Sequence, residues 1–158
     1  EKGLSFSNAL KEVRKEIARH LHNYLSAWYS LKQQTYAAEK SLNEESLSSD
    51  IQTRKGEMFK DNPENSFIQD LRNYIQHRSL PLVDHNSTIT FDASQPDFDI
   101  NHDLFLEKDE LLNYSKWTDP ARSFLNKQPD QVPIKEIIKS NFQYIESFYV
   151  WLNQRINS

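Results

Sequence analysis

The chain of 158 residues is 37% hydrophobic, 12% aromatic and 27% charged, which suits one soluble globular domain with a core of its own rather than a disordered or membrane-embedded chain. Its net charge of −4 argues against the broad basic footprint that binds duplex nucleic acid, and leaves room only for a local basic site. With no Cys there is no disulfide framework, no thiolate metal site and no thiol nucleophile.

Two glycines in the whole chain favour helices over a fold of many tight turns. Phe6, Leu10, Val13, Ile17, Leu21, Tyr24, Trp28 and Leu31 recur at steps of three and four, which predicts one long helix over 5–39. Lys11, Lys15 and Arg19 follow one another off this stripe and read as a solvated face rather than a phosphate track. Ser41 with Glu44 matches a capping box, in which the serine oxygen accepts from a free helix N–H and the glutamate bonds back. A more polar helix is expected over 42–60, carrying Leu42, Leu47, Ile51, Met58 and Phe59, with Gly56 as its weak point.

Asn62 and Pro63 mark the next start, because Asn caps well and Pro tolerates the first helical position. Phe67, Leu71, Tyr74 and Ile75 form the buried face of this third helix. It is expected to end near Arg78, since Pro81 disfavours helical backbone at Leu80.

The period then changes. Ile89 and Phe91 alternate within STITF, 87–91, and predict a strand, with Leu104, Phe105 and Leu106 as its expected partner across a long acidic connection. A helical turn in EKDELLNY and a short helix from Asp119 and Pro120 follow. Pro133 opens the last helix, in which Ile134, Ile138, Ile145, Phe148, Leu152 and Ile156 repeat. The first, third and last helices are expected to carry the core, the first and last near antiparallel. No repeat or linker divides the chain, so the expectation is one mainly α domain over 1–158, with a hairpin inserted at about 86–106.

Several candidate sites fail on chemistry. DINHDLFLEKDE, 99–110, has oxygen ligands at five positions of a calcium loop, but Leu104 occupies the sixth, where the bend needs Gly. His20 and His22 stand about 200° apart on a helix and cannot chelate one metal together, although His20 lies near the apolar stripe and either could line a cleft. Trp28, Trp117 and Trp151 offer base-stacking surfaces but sit at helical core spacings. Asn86 and Asn113 begin Asn-x-Ser/Thr triplets, which carry little weight where the visible start lacks the apolar core of a secretory signal. No metal and no cofactor is expected, and no apolar run approaches the roughly 20 residues of a membrane span. Cytoplasmic location is the default expectation.

RNYIQH, 72–77, is different. Arg72, Asn73 and His77 combine a guanidinium fork suited to phosphate oxygens, an amide, and an imidazole in the last turn of a helix. Asn73 and His77 share a helix face, so the amide can bond and orient the ring, while Arg72 is turned by about 100°. Arg14 with His20 and Arg78 with His85 also have Arg–His spacings in the same range, but only Arg72 is followed directly by Asn. This pattern resembles the motif of the HEPN superfamily of small helical proteins: Arg, four to six residues, then His, often with a polar residue after the Arg.

The resemblance implies an antiparallel helical bundle, a homodimer with its site at the interface, and metal-independent cleavage of RNA through attack by the ribose 2′-hydroxyl. Arg72, Asn73 and His77 would be the catalytic residues, RNA the substrate, and an antitoxin or another protein a partner of a toxin-like enzyme. It also covers a second reading, a noncatalytic dimerisation or ligand- and partner-binding module. In that case Arg72 pairs with acidic neighbours and His77 closes the helix end.

Overall fold

The computed structural model describes residues 2–41, 45–78, 85–91 and 98–156. The long apolar period folds as a single helix, α1 (Lys2–Ser41), slightly longer at both ends than the pattern predicts. The expected second helix divides into α2 (Glu45–Lys55) and a wider π-helical turn, Gly56–Lys60, which begins at the glycine. The Ser41–Glu44 capping box lies outside the described residues. Asn62 caps α3 (Pro63–His77), its Oδ1 accepting from Glu64 N at 2.9 Å and Asn65 N at 3.2 Å. The helix stops where Pro81 requires, and Arg78 N donates to Tyr74 O at 2.9 Å.

Strand β1 (His85–Phe91) pairs antiparallel with β2 (Phe98–Glu107), with Ile89 opposite Ile100 and His85 opposite Leu104. The hairpin is present, but its expected pairing is corrected. Phe98–Leu104 faces β1, whereas Phe105 and Leu106 pair with a third short strand, β3 (Gln131–Pro133). Of the acidic stretch taken as a long connection, residues 98–103 are strand. After it come α4 (Lys108–Leu112), α5 (Asp119–Asn126) and α6 (Ile134–Ile156), each near its expected start.

Side-chain pairings fix the directions of the main helices. Tyr24 Oη donates to Asn141 Oδ1 at 2.9 Å, and farther along Tyr149 Oη donates to Leu31 O at 3.1 Å, so α1 and α6 run the same way. This corrects the expected antiparallel packing of the first and last helices. The antiparallel member is α3: Arg72 meets Tyr29 while Gln69 meets Lys32 on α1, and Asn65 meets Asn141 on α6. Periodicity defines which face of a helix is buried, and it carries no information about direction.

The core lies among α1, α3 and α6 and continues under α4 and α5. Leu25, Phe67, Ile68, Leu71, Leu106, Leu125 and Ile134 are almost wholly buried, and Leu21 and Phe148 belong to the same cluster. Phe67 stacks on Trp117, with centroids 5.5 Å apart, and touches Phe124 at 5.4 Å, which fastens α5 to α3. Asp70 secures the same contact, accepting from Thr118 N at 2.7 Å and Thr118 Oγ1 at 2.8 Å. Among the described residues no helix is long and apolar enough to cross a membrane.

Candidate functional site

The rotation of α3 decides what Arg72, Asn73 and His77 can reach. Because Phe67, Ile68, Leu71 and Tyr74 are buried, Arg72, Asn73 and His77 turn toward the rim. Arg72 is half-buried, with its guanidinium carbon 3.9 Å from the centroid of the Tyr29 ring on α1. Its Nη1 donates to Gln76 Oε1 at 3.4 Å, and its Nε is buried with no hydrogen-bond partner. Asn73 is half-buried, and His77, the last residue of α3, is exposed.

Among the described residues no hydrogen bond or ion pair joins these three side chains. The expected Asn73–His77 bond is not formed, and no acidic partner of Arg72 stands among the described residues. The nearby carboxylate of Asp70 accepts instead from Thr118 N and Oγ1. What holds Arg72 is the aromatic face of Tyr29, a partner that sequence spacing could not reveal because it comes from another helix. Cation–ring contact stabilises by about 0.5 to 2 kcal/mol, comparable with the cost of leaving one buried N–H unpaired.

A different feature provides an accessible concavity. Between α1, β2 and α6 opens a cleft of about 360 Å³ lined by Ile17, His20, Leu21, Tyr24, Leu104, Ile134 and Ile138. Its walls are apolar except for His20, whose side chain is 71% exposed and stands 4.0 Å from Glu16 Oε2. The position of His20 beside the apolar stripe was the sequence signal for this cleft. The contribution of Leu104 was hidden, because β2 reaches α6 only through the fold. A second hollow, beside Arg54, Met58, Phe148 and Trp151, holds only about 40 Å³.

Behind the cleft runs a buried polar chain that the sequence did not disclose. The Tyr24 hydroxyl bonds Asn141, the Asn141 amide donates to Asn65 Oδ1, and Asn65 Nδ2 donates to Met58 O at 2.5 Å. Asn65 and Asn141 are almost completely buried, so each bond answers a desolvated polar group. Burial pushes the Tyr24 phenol up to about 12, with the Glu64 carboxylate adding to the rise. Burial also raises Glu64, against the opposing pull of its hydrogen bonds with Ser140 and Asn141.

Among the described residues no group of three His, Asp or Glu side chains is placed to hold a metal ion. No family model, no curated protein and no solved structure matches this chain.

Proposed function

We propose that the chain is a noncatalytic, HEPN-like helical module that acts by binding a partner. The observation that carries this reading is the seating of Arg72: its guanidinium lies against Tyr29 and its Nε is buried. A phosphoryl-transfer site needs its cation and its acid within hydrogen-bond reach of one reacting group. Here Arg72 packs between helices while His77 stands in solvent. The apolar cleft between α1, β2 and α6 supports binding as the activity, since it offers hydrophobic walls with a polar group at the edge.

A metal-independent endoribonuclease is the second reading. It is favoured by one observation: Arg72 has no carboxylate partner among the described residues, so its charge is not neutralised. Incubation with single-stranded RNA in excess EDTA separates the two. The binding module leaves the RNA intact. Products ending in a 2′,3′-cyclic phosphate, lost in both Arg72→Ala and His77→Ala, with DNA untouched, would establish the nuclease instead.

A further inference from the structure

At about 360 Å³ the cleft between α1, β2 and α6 has the size of a small-molecule site, and its walls are of one kind. Ile17 and Leu21 on α1, Leu104 on β2, and Ile134 and Ile138 on α6 are aliphatic, and only Tyr24 adds a phenyl face. A flat heterocycle finds no pair of rings to lie between, whereas an alkyl chain meets methyl and methylene groups from all three elements. Within these walls a ligand's polar group finds no free side-chain donor, because the Tyr24 hydroxyl already donates to Asn141 at 2.9 Å. Tyr24 stands level with Asn141 and the two helices run in parallel, so Ile134 and Ile138 stand level with about residues 17 and 21 of α1. From Ile17 to Tyr24 the lining runs for about 10 Å at 1.5 Å per residue. A saturated chain of about nine carbons, with bonds near 1.5 Å, covers the same distance.

The mouth of the cleft selects the charge of the other end. His20 is exposed there, and the carboxylates beside it on α1 are already answered. Glu16 accepts from Arg19 Nε at 3.1 Å and from Arg19 Nη2 at 2.6 Å, and Glu12 pairs with Lys15 at 2.7 Å. His20 Nε2 stands 3.5 Å from Arg19 Nη2 and 4.0 Å from Glu16 Oε2. Facing a guanidinium, Nε2 is the accepting nitrogen, which leaves the hydrogen of the neutral ring on Nδ1 as a donor. A cationic head group would meet donors there and, among the described residues of the mouth, no free carboxylate. An anionic one meets an imidazole N–H beside the charge of Arg19.

We infer that the cleft takes a medium-chain fatty carboxylate, its alkyl chain laid along Ile17, Leu21, Ile134 and Ile138 and its carboxylate at His20. This inference rests on the cleft being a binding surface and adds what fills it.

Isothermal titration calorimetry of the whole chain with hexanoate, octanoate and decanoate tests it. The expected result is one site per chain, with affinity rising up to about fourfold for each added methylene as the alkyl chain fills the walls. Decanoate should bind at least about tenfold more tightly than decyltrimethylammonium. His20→Ala should weaken decanoate severalfold and leave decanol unchanged. Ile138→Glu sets a like charge in the wall and Ile17→Trp fills the cleft without charge, and each should weaken decanoate at least about tenfold. Circular dichroism checks the fold of both, and either one that folds carries the test. Undiminished decanoate binding in a folded variant, affinity that does not rise with chain length, or a cationic amphiphile that binds as well as decanoate overturns the inference. An anilinonaphthalene sulfonate dye separates it from the reading beneath it. Dye that binds, and is lost in Ile138→Glu, with no binding of decanoate overturns the fatty carboxylate alone and keeps the cleft as a binding surface. Binding of neither removes both.

Discussion

A guanidinium laid on a tyrosine ring gives up part of its hydration and gains the ring's quadrupole and a large packing surface. Arg72 therefore has a structural role that can be measured apart from any chemistry. Arg72→Ala is expected to lower stability by about 1 to 3 kcal/mol, whereas His77→Ala, at an exposed position, should stay within about 0.5 kcal/mol. Urea unfolding of both variants checks this, and two unchanged midpoints would mean that the contact with Tyr29 holds nothing. Tyr24 gives a second prediction at this scale. Its folded phenol titrates at about 12, above its ordinary value of 10.0, so the folded state keeps a proton that the unfolded chain releases. The associated stability is complete below pH 10 and is lost as pH rises toward 12. Tyr24→Phe should forfeit about 1 kcal/mol at neutral pH through its lost bond to Asn141, yet show a shallower fall in melting temperature across that alkaline window.

At the scale of elements, the caps and breakers carry most of the local information. Asn62 accepts two of the free N–H groups that open α3, so Asn62→Ala is expected to cost about 1 kcal/mol. Gly56 makes the opposite case. Beyond its chain neighbours and the backbone of its own helix, no atom lies within 4 Å of where its Cβ would stand, and no described residue has a positive φ, so Gly56→Ala should stabilise by roughly 0.4 to 1 kcal/mol. Thermal unfolding of this variant reads the sign directly. The same residues explain what was legible beforehand. Asn62, Pro63 and Pro81 act through their own backbones, so the limits of α3 could be read from sequence. β2 was harder, although Phe98, Ile100, His102, Leu104 and Leu106 alternate in the sequence. Its acidic residues suggested a loop, and β3, only three residues long, has too little pattern to announce itself. Arg72, Asn73 and His77 were visible as residue types, while their environments depended on Tyr29 and on the rotation of α3.

For the whole molecule, the parallel course of α1 and α6 is the consequential feature. Had these helices been antiparallel, the start of α6 would not stand level with about residue 17 of α1, and Ile134 and Ile138 would not line one cleft with Ile17 and Tyr24. The buried chain from Tyr24 through Asn141 and Asn65 to Met58 fixes this register, because sliding one helix by a turn would leave desolvated amides unpaired. Arg72 is thus packed between α3 and α1, while the cleft between α1, β2 and α6 opens outward, where a partner binds on the reading proposed above.

Binding of an anilinonaphthalene sulfonate dye to the whole chain tests this division of labour most directly. The account expects the dye to bind, to be lost in Ile138→Glu and to be kept in Arg72→Ala. No binding, or binding lost in Arg72→Ala and kept in Ile138→Glu, would contradict it.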